Sequence, residues 1–437
     1  MQSIRILIPT HVTPETKSVT TLFFENLLPH LKQHVNVDMI WFVYMPDKLV
    51  ESQKIFDDTT VIDIHNYNNA LEVLQKYKPD LVYAHATYSF IDYSFSLASK
   101  HLGIPVIGGF YSDLQSLLLK RDRSKLIGSY VNRFFQNTIP TDTVKTKKQF
   151  MRRGRFYVYK YLFVLKTQIA IKMNPFKIFK IFIRTFSNIL QSEKHFTYDP
   201  SLANTLHWLE GESLLEQLVS IGFKKSSLVV TGNPQYDFMF KKLKNYKSTK
   251  IKNDIIHVLL ITDALYEHGF YSLKQRDEMF NSTIKELIKY KNEISLTVKI
   301  HPSSESFVEY KSLLEKIDSS INLYQKEDVI QLMENSDVLI AFSSYTSALL
   351  YALILKKPLL ICNYSNIYED IFLDKGVAYE CKDPTLVYDM IKQVSKSNIP
   401  EDLINIFLKE CIYNLDGCAS KRLGDAILKL LHINELN

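Results

Sequence analysis

Polar residues follow two apolar, strand-like runs in the second half of the chain, and their types suit phosphate binding. His301 comes directly after LTVKI, and Ser343 and Ser344 come directly after DVLIAF. Near neutral pH an imidazole can donate a hydrogen bond to a phosphate oxygen or protonate a leaving group. Serine hydroxyls at a helix start, with the first amides of that helix, also bind phosphate oxygens. The pattern predicts an anion site without a glycine-rich loop.

Each residue of this pattern also has an ordinary structural role open to it. A histidine before a helix can cap that helix, and a pair of serines can act only as N-caps. Pro302 ends the strand and directs His301 towards the strand-end crevice, where ligands of parallel sheets collect. Two polar sites at strand ends of one domain favour a ligand over capping alone.

The elements that must position these residues alternate in type along the chain. IRILIP, VDMIWFVY, DLVYAH and IPVIGG are separated by helical patterns, and a second series starts at IIHVLLI. Strands alternating with helices of this length predict parallel sheets covered on both faces. With 437 residues, the chain is long enough for two such domains.

We place the first domain at residues 1–240 and the second at residues 255–437. The lysine- and asparagine-rich run at 241–254 reads as the linker between them. The last helical pattern, Ala419 to Leu431, could return to the first domain or cap the second. The expected fold class is therefore α/β with two Rossmann-like domains.

The segment 115–195 of the first domain differs from the rest. From Thr143 to Ser192 there are twelve Lys and Arg residues and no Asp or Glu, although the whole chain has a net charge of only +6. A membrane-spanning helix needs about 20 apolar residues, and no uncharged run here approaches that length. After Pro175, cations and phenylalanines fall on roughly opposite sides of one helix, namely Lys177, Lys180 and Arg184 against Phe179, Phe182 and Phe186.

A basic amphipathic helix of this kind suits an anionic membrane surface. The alternative is that the helix packs on the first sheet and its lysines face water. Nucleic acid is not an expected partner, because no recognisable nucleic-acid module accompanies the basic segment.

Cysteine usage and the N-terminal sequence indicate a cytoplasmic protein. The four cysteines form no CxxC pair and no metal-ligand spacing, so we expect neither a disulfide framework nor a zinc site. MQSIRILIPT runs straight into a strand-like stretch without the features of a signal peptide. The basic segment would allow peripheral attachment at the inner face of the plasma membrane.

Several segments of the second half resemble a known family. KIHPSSES, DVLIAFSSYTSALLYALILKKPLLICN and DGCASKRLGDAI look like the C-terminal domain of microbial surface-polysaccharide transferases, including capsule polymerases, glycerophosphotransferases and relatives of UDP-N-acetylglucosamine 2-epimerases. LEGESLLEQLVSIGFKKSSLVVTGNPQYDFM is similar to the epimerase-type segment before the hinge. The resemblance covers roughly residues 205–431 well and the first domain only in general layout.

The resemblance implies a GT-B architecture, in which two Rossmann-like domains face a cleft. It implies a nucleotide-activated sugar or polyol phosphate as donor, and neither a metal nor another cofactor. His301 would contact the donor phosphate, Ser343, Ser344 and Thr346 would hold the phosphates, and the His268 loop would lie over the nucleotide. The sequence reads SSYTSALL where the epimerase pattern has a glycine pair and an acidic residue, and this difference favours transfer over epimerisation.

A catalytic base is expected from the first domain, because an inverting transfer requires removal of the acceptor hydroxyl proton. The candidates are Asp113, His11 and His85, which follow strand-like runs. Each has an ordinary alternative: Asp113 as an N-cap, His11 as a loop residue and His85 as a buried hydrogen-bonding group. Glu210 and Glu212 are weaker candidates, since LEGES reads as a solvated helix start.

Together these features predict a glycosyltransferase that moves a sugar from a nucleotide donor to a glycan or lipid-linked acceptor, in the synthesis of an envelope polysaccharide or glycoprotein. A hydrolysing UDP-sugar 2-epimerase and a CDP-polyol phosphotransferase of the same fold are alternatives. From another class, a non-catalytic scaffold that binds a nucleotide or a membrane also fits.

Overall fold

The computed structural model describes residues 2–16, 18–49, 53–56, 58–84, 89–110, 143–190, 204–244, 255–267, 270–302, 304–343, 348–364 and 370–433. The described chain forms two compact units. The first contains residues 2–110, 143–241 and 410–433 within those ranges, and the second contains residues 242–409. Each unit is an α/β structure built on its own sheet.

The sheet of the first unit has the strand order β3-β4-β2-β1-β5-β6-β7-β8, and only the edge pair β3 and β4 is antiparallel. Its strands are β1 (Ser3–Thr10), β2 (Asn36–Val43), β3 (Gln53–Phe56), β4 (Thr59–Asp63), β5 (Leu81–Tyr83), β6 (Val106–Phe110), β7 (Leu206–Leu209) and β8 (Leu228–Val230). Its helices are α1 (Val19–Leu31), α2 (Ala70–Tyr77), α3 (Phe90–Leu102), α4 (Thr143–Ala170), α5 (Pro175–Leu190), α6 (Ser213–Ser220) and α7 (Asp237–Lys244).

The central strands of this sheet are buried on both faces, as the continuous apolar runs predicted. In β1 every residue from Leu7 to Thr10 is buried, and β1 pairs in parallel with β2 from Ser3 opposite Asn36. Helices begin where side chains can satisfy the free amides: Ser18 caps α1 and Ser89 caps α3. The predicted α/β class is confirmed.

Strand β6 requires glycine because a neighbouring aromatic ring occupies the space of a side chain. A Cβ atom on Gly109 would lie 2.0 Å from the ring of Trp208 on the adjacent strand β7. Trp208 is fully buried and stacks on Phe23 of α1, with the ring centroids 5.4 Å apart. The GG pair in IPVIGG is thus a packing requirement of the sheet.

The second unit has six parallel strands in the order β11-β10-β9-β12-β13-β14. The strands are β9 (Ile256–Ile261), β10 (Ile294–Lys299), β11 (Asn322–Tyr324), β12 (Val338–Ala341), β13 (Leu359–Cys362) and β14 (Tyr379–Cys381). The helices are α8 (Leu273–Ile288), α9 (Phe307–Glu315), α10 (Val329–Glu334), α11 (Ala348–Ile354), α12 (Ile371–Asp374), α13 (Val387–Val394) and α14 (Glu401–Ile412), and α14 runs on into the first unit. Among the described residues, no helix is long and apolar enough to cross a membrane.

The last helix, α15 (Ala419–Leu430), belongs to the first unit, although the sequence analysis grouped residues 255–437 in one domain. Its apolar residues, including Leu423 and Ile427, share a core with Phe23 and Leu27 of α1. Of the two destinations that the sequence left open, the structure shows a return to the first unit. The proposed linker falls largely in residues 245–254, outside the described ranges.

Hydrogen bonds at its N-terminus and a close approach near its middle hold α15 against α1 and its neighbours in the first unit. The buried carboxylate of Asp237 accepts hydrogen bonds from the backbone amides of Ala419 and Ser420 at 2.9 and 2.7 Å. Farther along, a Cβ atom on Gly424 would lie 2.3 Å from the ring of His30, so only glycine permits this approach to α1. Asp237 therefore supplies the N-terminal cap that the side chain of Cys418 does not provide.

We expect Asp237→Ala to lower the free energy of unfolding of the first unit by about 1–2 kcal/mol, because two buried amides lose their acceptor. Urea denaturation measures this change. Glu212→Ala is the matched control, since Glu212 precedes α6 without forming a side-chain cap. Equal losses in the two variants would contradict the capping role of Asp237.

Candidate functional site

Three adjacent strands of the second unit place the predicted site residues at one edge of its sheet. β9 lies between β10 and β12, and all three run in parallel, so their carboxyl ends lie at the same edge. Thr262 and Asp263 follow β9, His301 follows β10, and Ser343 follows β12. His301 and Ser343 are thus separated by the end of β9.

Glu305 joins the ends of β9 and β10. Its Oε2 accepts hydrogen bonds from the Thr262 hydroxyl and from the backbone N–H of His301, the latter at 2.5 Å. Its Oε1 accepts from the hydroxyl of Tyr310 on α9 at 2.6 Å. Glu305 is only 5% exposed, and a carboxylate this deeply buried is stable in a fold only when donors surround it.

The hydrogen bonds of His301 determine which of its nitrogens carries the proton. Nδ1 accepts from the backbone N–H of Ser304 at 3.1 Å, so the neutral ring carries its proton on Nε2. Burial, aided by the positive charge of Lys299, lowers the pKa of His301, while Glu305 acts in the opposite direction. At neutral pH the ring is therefore a neutral donor through Nε2.

Lys299 is a buried cation in the last position of β10. Its Nζ donates to the carbonyl oxygens of Ile300 and Gln325 at 2.9 and 2.7 Å. Burial lowers the pKa of Lys299, and the nearby carboxylates Glu327 and Glu305 oppose this effect. The amide of Gln325 in turn donates to the carbonyl oxygen of Glu305 at 2.9 Å. This network fixes the backbone on both sides of His301.

Ser343 is tied to Asp263 across the ends of β12 and β9. The Ser343 hydroxyl donates to Oδ2 of Asp263 at 2.8 Å, and the serine is fully buried. Burial raises the pKa of Asp263 well above its ordinary value, Glu305 and Asp370 add to this rise, and the hydrogen bonds from Ser343 oppose it. Oδ1 of Asp263 is buried without a hydrogen-bond partner among the described residues. Burial therefore favours the protonated form of Asp263.

The structure describes three of the predicted site residues. His301 and Ser343 lie at strand ends of the second unit as expected, but the Ser343 hydroxyl contacts a carboxyl group, so its predicted role towards phosphate stays a prediction. His11 follows β1 in the first unit, solvent-exposed, with its ring 6.2 Å from that of Tyr44. Desolvation and the charge of Lys160 lower the pKa of His11. The remaining predicted residues lie outside the described ranges: Asp113, His85, His268, Ser344 and Thr346.

Sequence reasoning missed the two acidic residues that organise the site. Asp263 directly follows the apolar run IIHVLLIT, and Glu305 stands four residues after His301 in HPSSE. An acidic residue at the end of a buried strand was the available signal for Asp263. For Glu305 there was no comparable signal, because its partners Thr262 and Tyr310 come from different elements.

The interpretation of LEGES as a solvated helix start was wrong for Glu210. Glu210 is 3% exposed, and its carboxylate accepts a hydrogen bond from the Asn233 side chain at 3.0 Å. The two residues follow β7 and β8, so they share one edge of the first sheet. Glu212 is exposed, as expected.

The described residues contain no group of three or more His, Cys, Asp or Glu side chains arranged to hold a metal ion. Cys362 and Cys381 lie opposite each other on β13 and β14 as free thiols, and burial raises the pKa of Cys362.

Known structures share this fold at low sequence identity. MnaA of S. aureus, solved with UDP, aligns with 99% of this chain and 98% of its own at 16% identity and a TM-score of 0.54. UDP-GlcNAc 2-epimerase from Neisseria meningitidis, bound to UDP-GlcNAc, aligns with 98% of this chain and 100% of its own at 15% identity and a TM-score of 0.52. The wall teichoic acid polymerase TagF, as an H444N variant, aligns with 99% of this chain and 90% of its own at 13% identity and a TM-score of 0.50.

These likenesses show that the chain has a two-domain α/β fold of the GT-B type. No family model matches the sequence, and no curated protein sequence matches it.

We expect Glu305→Ala to lower the free energy of unfolding of the second unit by about 3 kcal/mol or more, because three donors lose their acceptor together. Chemical denaturation measures the loss. Glu315→Ala is the control. Glu315 is an exposed carboxylate at the end of α9, and its surface ion pair with Lys311 contributes little to stability. A loss no greater than the control's would contradict the joining role of Glu305.

Asp263→Asn tests whether this carboxyl is protonated in the folded protein. A raised folded pKa means that stability is full below the ordinary pKa of 3.8 and declines as pH rises towards the folded pKa. The decline reaches at most about 1.4 kcal/mol per pH unit. Asparagine keeps the shape and an acceptor for Ser343 but does not titrate, so the variant should lack this decline. Urea midpoints between pH 4 and 8 measure it.

Asp402→Asn, which changes an exposed carboxylate of the same unit, should retain the decline of the unsubstituted protein. If the urea midpoints of Asp263→Asn and of the unsubstituted protein change with pH in parallel, Asp263 is ionised in the folded protein.

Proposed function

We propose that this protein is a nucleotide-sugar-dependent glycosyltransferase of the GT-B type that acts on a glycan or lipid-linked acceptor in envelope polysaccharide or glycoprotein synthesis. The observation that carries the proposal is the strand-end site of the second unit. There, His301, Asp263 and Ser343 lie at the ends of the neighbouring strands β10, β9 and β12. Hydrogen bonds to Ser304 and between Ser343 and Asp263 orient their polar groups. Solved proteins of the same fold bind UDP and UDP-GlcNAc.

Hydrogen-bond donors at the site support binding of a diphosphate. Burial raises the pKa of Asp263 well above its ordinary value, and in this proposal the protonated carboxyl donates to a phosphate oxygen. The Nε2 proton of His301 is a second donor. Lys299, two residues before the histidine, supplies a positive charge that offsets the buried carboxylate of Glu305. In this proposal these groups stabilise the negative charge that develops on the leaving phosphate.

The other predicted residues complete the proposal. Ser344 and Thr346 hold the donor phosphates, next to Ser343 in the sequence, and the His268 loop covers the nucleotide. Asp113, His11 or His85 removes the proton of the acceptor hydroxyl. The reaction needs no metal or further cofactor in this scheme, because side chains provide the donors and the base. The enzyme acts on the cytoplasmic side of the membrane.

A hydrolysing epimerase is the second candidate, because several solved proteins of this fold are UDP-GlcNAc 2-epimerases. The segment SSYTSALL lacks the glycine pair and acidic residue of the epimerase pattern. Incubation with UDP-GlcNAc in the absence of any acceptor separates the two candidates: an epimerase releases UDP and an isomerised free sugar, and a transferase leaves the donor largely intact. A CDP-polyol phosphotransferase would respond to cytidine nucleotides instead.

A thermal-shift series with UDP, CMP, CDP, GDP and their sugars should show selective stabilisation by one nucleotide class. A ligand at 100 times its Kd stabilises the folded state by about 2.7 kcal/mol. His301→Ala should lower the affinity for this nucleotide by about tenfold or more, because a hydrogen bond to a charged phosphate is lost. Titration calorimetry measures the affinity.

The control is His101→Ala, which alters an exposed histidine at the end of α3 and should leave the affinity unchanged. If none of the nucleotides stabilises the protein, the proposal is contradicted. Tight binding with no turnover of donor in the presence of membrane acceptors would indicate a scaffold.

A further inference from the structure

Helix α5 packs on the first unit through a narrow aliphatic edge. Ile178 and Ile181 are partly buried, and Ile181 contacts the small core formed by Phe90, Tyr93 and Val164. On a helical projection these two isoleucines lie on the same side. They leave Phe176 and Phe179 outside the packed interface, whereas Phe182 contacts Tyr161 of α4.

Three large apolar side chains on one face of α5 are exposed to solvent. Phe176 is 85% exposed and Phe179 is 62% exposed, with Ile183 beside them at 49%. Monomeric soluble proteins rarely leave several large apolar side chains of one helix face in water. The packing of Phe176 and Phe179 therefore differs from the alternative in which they contact the sheet.

Helix α4 carries a second set of exposed apolar side chains. Val158, Leu162 and Ile169 are 56%, 44% and 61% exposed, and they alternate with the exposed cations Arg155 and Lys166. These five positions fall on one side of the helix, opposite the buried Val164 and Thr167. An outer helix stripe that only faced water would be polar.

Positive charge surrounds these apolar side chains. Lys177 and Lys180 of α5 are exposed. Burial and the charge of Lys177 lower the pKa of Lys100 on α3, so a third cation lies close to this helix. The whole stretch from Thr143 to Ser192 contains no acidic residue that could neutralise them.

We propose that the outer faces of α4 and α5 form a docking surface for an anionic lipid bilayer. Phe176, Phe179 and Ile183 enter the boundary between headgroups and acyl chains, and the lysines bind lipid phosphates. A second copy of the chain fits less well, because a symmetric interface would set this basic surface against itself. Nucleic acid also fits less well, since the aliphatic side chains of α4 cannot stack on bases.

Vesicle co-sedimentation tests the proposal. The full chain should bind vesicles of phosphatidylcholine with 30 mol% phosphatidylglycerol and should bind pure phosphatidylcholine at least about tenfold more weakly. The double variant Phe176→Ser/Phe179→Ser should lose about tenfold or more in affinity for the anionic vesicles. Lys177→Gln/Lys180→Gln should lower the affinity for anionic vesicles by a similar factor, and this difference should shrink as the salt concentration is raised.

Matched controls change exposed side chains of the same kinds elsewhere in the first unit. Val219→Ser/Ile221→Ser removes apolar residues that are 40% and 47% exposed, and Lys224→Gln/Lys225→Gln removes the same charge. Both should bind like the unsubstituted protein. Unchanged circular dichroism and Tm in all four variants confirm folding, so a loss of binding reports the surface itself.

Three results would overturn the proposal. The first is failure of the unsubstituted protein to distinguish anionic from neutral vesicles. The second is concentration-dependent dimerisation that Phe176→Ser/Phe179→Ser abolishes, without vesicle binding. The third is binding of a single-stranded oligonucleotide that exceeds vesicle binding and tolerates the phenylalanine substitutions. Vesicle binding needs no nucleotide, so its outcome is independent of donor turnover.

Discussion

A carboxylate removed from water must be surrounded by donors, and this requirement organises the strand-end region of the second unit. Glu305 accepts hydrogen bonds from a side-chain hydroxyl at the end of β9, a backbone amide at the end of β10 and the phenol of a tyrosine on α9. Because the three partners come from three elements, satisfying one buried charge also fixes the positions of all three. The backbone at His301 is therefore ordered before any ligand is present, and a ligand bound there would not have to provide that order.

Burial shifts the ionisation of the neighbouring groups as well. It disfavours the charged form of an acid and of a base alike, so the pKa of Asp263 rises and the pKa of His301 falls. The charge of Glu305 adds to the rise for Asp263 and opposes the fall for His301. Lys299, whose Nζ donates to two carbonyl oxygens, favours the neutral form of the histidine. One buried carboxylate therefore influences the protonation of both side chains at the strand ends.

Strands could be predicted from the sequence wherever apolar residues formed a continuous run. IRILIP and IIHVLLI are continuous apolar runs, and they form the buried strands β1 and β9 with almost the expected bounds. His301 was found because a strand ends at a His-Pro pair. The hydroxyl of Ser343 was not anticipated to contact Asp263, because that contact joins residues 80 positions apart. The destination of α15 was equally undetermined. Its apolar stripe would suit either sheet, and contacts distant in sequence select one, among them the hydrogen bonds to Asp237 and the close approach of Gly424 to His30.

The return of α15 to the first unit has a consequence for the order in which the protein is completed on the ribosome. All strands and helices that belong only to the second unit are synthesised before residues 419–430, whereas the core beside Phe23 and Leu27 is incomplete until those residues arrive. The part of the protein that is translated first is thus the last to acquire its full complement of packing. Until then an apolar side of α1 stays uncovered, which makes the nascent N-terminal unit the natural client of a chaperone.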